Sequence, residues 1–130
     1  MSENKLSIEL LNDKLAYRPG ELVEGVAGWE LENPPRYTEV RLYWYTVGKG
    51  DEDSGLVDSA KFESPPAVDA QIFRFTLPPG PYSFSGKLIS LIWVVELAVH
   101  KVKRVHAQTI VVAPEAREIE LGAVTSNEEA

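Results

Sequence analysis

The chain contains no cysteine. That excludes a disulfide framework, a thiolate nucleophile, an iron–sulfur cluster and a Cys-ligated zinc site. Histidine is almost as scarce: His100 and His106 are the whole supply, so hydrolytic triads and His-rich metal centres have few parts to draw on. Positive charge is also short, with 13 Lys and Arg against 20 Asp and Glu, a formal charge of −7. A phosphate-binding surface needs cations to displace condensed counterions, so nucleic-acid binding is disfavoured. The most apolar stretch, 88–99, carries Glu96 and is too short to span a bilayer as a helix, so no membrane insertion is expected. The amino end, Met-Ser-Glu-Asn-Lys, lacks a basic region followed by an apolar core and does not read as a secretory signal; a cytoplasmic location is expected.

What the chain does have is regular punctuation. Nine Pro and nine Gly separate short runs rich in Val, Ile, Thr, Trp, Tyr and Phe that alternate with polar residues, which is an all-β pattern. Leu6, Ile8 and Leu10 share one face of a first strand; Asn12-Asp13 turns the chain, 14–17 continues briefly, and Pro19-Gly20 turns it again. In the run 22–31, Val23, Gly25, Ala27, Trp29 and Leu31 face one way and Glu24, Glu30 and Glu32 the other. The run 40–47 sets Val40, Leu42 and Trp44 against Arg41, Tyr43 and Tyr45, as expected of a central strand. A polar loop, 48–55, leads to an edge-type strand, 56–63, and Ser64-Pro65-Pro66 breaks it. Phe73, Phe75 and Leu77 align in 71–77, after which Pro78-Pro79-Gly80-Pro81 forces a loop carrying Tyr82 and Phe84.

The strongest element is 88–100, where Ile89, Leu91, Trp93, Val95, Leu97 and Val99 fall inward at period two. A short charged connection, 101–103, is expected to lead to a hairpin partner, 104–112, with Val105, Ala107, Thr109 and Val111 inward. A last strand is expected at 117–121 and an acidic flexible tail at 122–130, which leaves 1–121 as one domain. Some eight strands, each with one apolar face, predict an all-β, immunoglobulin-like β-sandwich of two antiparallel sheets. Trp29, Trp44 and Trp93 all fall on apolar faces and belong in its core.

Candidate chemistry is thin. The stretch from Gly80 to Gly86-Lys87 misses a phosphate-binding loop in spacing, terminal residue and context, and no Gly-x-Ser-x-Gly elbow is present. Asp51-Glu52-Asp53 with Asp58 lacks the register of an EF-hand and reads as a solvated loop. His100 and His106 flank a basic turn on expected outer faces and read as solvated histidines, since metal sites usually recruit three or four ligands. No catalytic, cofactor or metal residue is assigned, and no enzyme is expected. Two surfaces remain as partner-binding candidates. Tyr43 and Tyr45, with Tyr82 and Phe84, can form an exposed aromatic surface, unless a sheet or loop covers the first two. Lys101, Lys103 and Arg104 form the one basic cluster, suited to protecting a hairpin end or meeting an acidic partner.

Three segments also carry a family pattern. Tyr17-Arg18-Pro19-Gly20-Glu21-Leu22-Val23-Glu24-Gly25-Val26 resembles the Y-x-P-G-E-x-V-x-G-x-V segment near the start of arrestin-domain proteins. Phe73-Arg74-Phe75-Thr76-Leu77-Pro78 and Pro81-Tyr82-Ser83-Phe84-Ser85-Gly86 resemble their F-x-F-x-L-P and P-x-S-F-x-G, followed by an apolar strand with a central aromatic, here Trp93. The resemblance implies an arrestin-type sandwich and a non-catalytic adaptor or scaffold that binds proteins or associates with itself. Arrestins use two such lobes in tandem, whereas this length fits one, and their phosphate-sensing lysine pair has no counterpart because Leu15 follows Lys14. The alternative from composition alone is a ligand-binding module that offers its aromatic surface to a small molecule or glycan.

Overall fold

The computed structural model describes residues 4–50 and 52–120. Its strands are β1 (Lys5–Leu10), β2 (Ala16–Tyr17), β3 (Leu22–Glu30), β4 (Tyr37–Gly48), β5 (Ser54–Glu63), β6 (Val68–Thr76), β7 (Phe84–Ser85), β8 (Ile89–Val99), β9 (His106–Val112) and β10 (Ile119–Glu120). A single 3-10 turn, Leu11–Asp13, follows β1. Among the described residues no helix is long and apolar enough to cross a membrane. The tail expected at 122–130 lies outside the described residues, as do Asp51 and Leu121.

The strands form two sheets, as the alternating apolar faces predict. The small sheet has the order β1-β3-β6. The large one runs β10-β7-β8-β4-β5, with β9 also paired to β8 and β2 to β9. The long pairings are antiparallel, but two short ones, β2 with β9 and β7 with β10, are parallel. The inner faces meet in one core: Ile8, Val23, Ala27, Trp29, Phe73 and Phe75 from the small sheet pack against Val40, Leu42, Trp93, Val95, Leu97 and Ile110 from the large one. Trp44 is partly buried against that core.

The first two family-pattern segments turn out to be neighbours. Arg18 to Glu21 is a turn in which the Glu21 amide donates to the Arg18 carbonyl at 3.1 Å, and Gly20 takes the positive φ (+88°) that a type II turn requires at its third position. The Glu21 carboxylate accepts from the Arg18 amide (2.6 Å) and from Lys14 Nζ (3.1 Å). The same turn is stitched to the end of β6: Gly20 N–H donates to the Leu77 carbonyl, and Leu77 N–H to the Glu21 carbonyl. The proline-rich loop that follows closes the core's other end. Trp93 Nε1 donates to the Pro81 carbonyl (2.9 Å), and buried Ser83 pairs with Val112, accepting from its amide (2.9 Å) and donating its own amide to its carbonyl (2.7 Å).

Three expectations need correction. The segment around Phe84, read as loop, contains β7, whose Phe84 pairs with Leu91. Strands β4 and β6 begin earlier than the runs 40–47 and 71–77, because Pro35 and Pro66 stop pairing only at their own positions. In β9 the inward set is inverted: Ile110 and Val112 are buried, whereas Val105, Ala107 and Thr109 are exposed. The connection after β8 occupies 100–105, so the strand opens at His106 opposite Leu97 and places Ile110 opposite Trp93. A hairpin whose loop length changes by one residue exchanges its faces.

Candidate functional site

The outer face of the large sheet gathers the polar chemistry of the molecule. Alternation along β4 turns Glu39, Arg41, Tyr43 and Tyr45 outward because Val40 and Leu42 must go in, and β8 turns Ile92, Val94 and Glu96 outward for the same reason. The β4–β8 register then sets Arg41 opposite Glu96, Tyr43 opposite Val94 and Tyr45 opposite Ile92. Glu96 is the hub. One of its oxygens accepts from Arg41 Nη1 at 3.2 Å and the other from the Tyr43 hydroxyl at 3.0 Å. Arg41 Nε and Nη2 donate to one oxygen of Glu39, at 3.2 and 3.0 Å. The Tyr43 and Tyr45 rings lie 6.2 Å apart, and Leu56 of β5, 65% exposed, stands opposite Tyr43. Glu39, Arg41, Tyr43, Leu56 and Glu96, with Ser54 and Gly55, rim a shallow depression of about 460 Å³, and Tyr45 stands outside it.

This arrangement fixes charge. Both Glu96 oxygens and three Arg41 nitrogens are committed to partners, which makes a rigid patch rather than a proton-transfer pair. Burial pushes the Tyr43 hydroxyl up to about 12, helped by its hydrogen bond to Glu96 and by that carboxylate's charge. Since the folded value is raised above the free value of 10.0, the stabilisation is complete below about pH 10 and is lost as pH rises through about 12. Ultraviolet titration should show a phenol ionising near 12 that disappears in Tyr43→Phe. A wild-type titration unchanged by that substitution would overturn the assignment.

The other candidates separate. Phe84 shares a register position with the buried Leu91, so it faces the core side, opposite to Tyr43 and Tyr45. Tyr82 lies in the preceding loop and is 40% exposed. The four aromatics therefore do not make one surface. Lys101, Lys103 and Arg104 diverge as well: Arg104 Nη2 is held by the Asn4 carbonyl at 2.8 Å and lines a groove of about 850 Å³ with Lys5, Asp69 and His106, while Lys101 lines a different depression and Lys103 is simply exposed. His100 packs its ring against Tyr37 at a tilt of 42° (centroids 4.9 Å) on the outer face, and His106, opposite Leu97, is on the inner side, so the two histidines do not meet. Among the described residues no group of three or more His, Cys, Asp or Glu is placed to hold a metal ion. The role of Glu96 was missed from sequence. The available signal was one charge of opposite sign, Arg41 and Glu96, in each of the otherwise uncharged runs 40–47 and 88–99, which cross-strand pairing favours.

No family model and no curated protein sequence matches the chain. Solved structures do. The sporulation control protein Spo0M of Bacillus subtilis aligns at a TM-score of 0.61 and 22% identity, over 87% of this chain and 50% of that one, so the chain spans half of that protein's length. A β-glucosidase of Listeria innocua in complex with glucose aligns at 0.49 and 14% identity, over 90% of this chain but 16% of the enzyme. The fold of this chain is an all-β sandwich of two sheets, similar to the arrestin-like fold of Spo0M.

Proposed function

We propose that the chain is a non-enzymatic regulatory adaptor that acts in the cytoplasm by binding another protein on the outer face of its large sheet. The observation that carries this reading is the Glu39–Arg41–Glu96–Tyr43 network with Tyr45 and Leu56 beside it. Tyrosine and arginine are the residues on which binding energy concentrates, and an apolar residue among fixed polar groups supplies a contact that excludes water. Because the network already holds its side chains, a partner meets a surface whose ordering has largely been done. The likeness in fold to a control protein supports a regulatory role of the same general kind.

The test compares partners captured from native lysate by the wild-type chain and by the double variant Tyr45→Ala, Leu56→Asp, both checked for equal melting temperature. A partner held by the wild type is expected to bind the variant at least about tenfold more weakly. A partner set that is the same for both proteins would overturn the assignment of this face.

A further inference from the structure

Three strand edges differ in how they are protected. An unpaired edge is a template for another strand, and natural edges are blunted with charges, bulges or proline. Strand β1 carries Lys5 and Glu9 on its outer face. Strand β5 carries Asp58, Lys61 and Glu63, and its pairing with β4 is broken by a bulge at Val57. Strand β6 has none of this over most of its length: Val68, Ala70 and Ile72 all point outward, Val68 65% and Ile72 75% exposed.

The free backbone groups of β6 belong to the same residues. Leu31 N–H donates to the Ala67 carbonyl at one end of the β3–β6 ladder, and Leu77 N–H to the Glu21 carbonyl at the other. Antiparallel bonding alternates, so the odd-numbered residues of β6 bond to β3, while Val68, Ala70, Ile72, Arg74 and Thr76 present N–H and C=O to the open side.

We infer that this edge pairs with a second copy of itself, antiparallel about a twofold axis at Ile72, joining two small sheets into one continuous sheet of order β1-β3-β6-β6-β3-β1. The inference deepens the adaptor reading and rests on it. The strand is self-complementary in that register. Ile72 meets Ile72, Val68 meets Thr76, and Ala70, the smallest side chain, meets Arg74, the one charged outward residue. Arg74 is already drawn back to β3, its Nε donating to Glu24 at 2.7 Å. Other registers are worse: axes at Gln71 and Phe73 set the Arg74 guanidinium against Val68 or Ile72, an axis at Arg74 opposes two guanidiniums, and an axis at Ala70 brings in Pro66, which has no N–H to give. Val26, paired with Ile72 on β3 and 38% exposed, extends the apolar row across the joined sheet.

The absence of cysteine makes the register directly testable. In a hydrogen-bonded antiparallel pair the facing Cα atoms are about 5.5 Å apart, inside the disulfide range of about 4.4–6.8 Å. Ile72→Cys should close to a disulfide-linked dimer under mild oxidation, whereas Leu56→Cys, also well exposed on the β5 edge, should stay monomeric. Light scattering of the wild type should show a mass rising with concentration from 14.4 kDa toward twice that value. Ile72→Lys should abolish the rise at an unchanged melting temperature. A wild type that remains monomeric at every concentration, or Leu56→Cys cross-linking as fast as Ile72→Cys, would overturn self-pairing. So would a monomeric wild type whose capture of another protein is lost in Ile72→Lys, which would assign the edge to a foreign strand. None of these outcomes touches the Tyr45 and Leu56 comparison, so the two proposals fail separately.

Discussion

Replacing Trp93 with alanine should cost ~3–5 kcal/mol of stability, read from the shift in the urea midpoint. Trp93 is fully buried at the centre of β8, between Trp44 on β4 and Ile110 on β9. Removing the indole opens a cavity that these flanking side chains, fixed by two ladders, cannot collapse to fill. It also leaves the Pro81 carbonyl without the donor that anchors the proline-rich loop. Trp93→Phe keeps most of the apolar volume but removes the hydrogen bond to the Pro81 carbonyl, so its loss should be the smaller. A cost for Trp93→Ala below ~0.5 kcal/mol, the range of ordinary surface positions, would overturn the placement of β8.

Gly25→Val should be nearly as damaging, at about 3 kcal/mol. Gly25 lies mid-strand on β3, facing inward between Leu10 and Phe73. A Cβ there would stand 2.5 Å from the Glu9 carbonyl oxygen, 2.9 Å from Phe73 Cζ and 3.2 Å from Leu10 Cα. The phenyl ring can tilt away, but the carbonyl and Cα belong to β1, so relief requires moving that strand off the sheet. Thermal melting should show the loss, and hydrogen exchange should show it concentrated in β1, with the Ile8 amide losing protection before those of β8. Wild-type melting in Gly25→Val would mean that β1 is not packed on β3 as described.

These two positions also mark what was legible in the sequence. Trp93 sits among six alternating apolar residues, and no other period explains them, so strand, face and burial all followed. Gly25 was visible as a glycine in an otherwise regular strand, and the reason emerges only when Leu10 and Phe73 are seen to close over it. The register of β9 was not legible. Val105, Ala107 and Val111 are as apolar as Ile110 and Val112, and the choice between them depends on the length of the connection after β8, which local pattern does not fix. In the site, the outward direction of Tyr43 and Tyr45 followed from their buried neighbours Val40 and Leu42. Their link to Glu96 did not, because the β4–β8 register is a tertiary fact joining residues 53 positions apart. Phe84 was misplaced for the same reason, its face being decided by Leu91.

The stitching of β2 onto β9 has a consequence in time. Ala16 pairs with Val111 and Tyr17 with Val112, so a strand made near the beginning of synthesis waits for a partner made near its end. The small sheet is complete once Thr76 has emerged, but buried Tyr17 has no neighbour on its far side until some 35 further residues follow, a delay of several seconds at about 5–20 residues per second. With so little of its pairing local, the isolated chain should refold on the millisecond-to-second scale usual for all-β topologies. During translation a half-built sandwich, its β6 edge already formed and open, precedes the finished one.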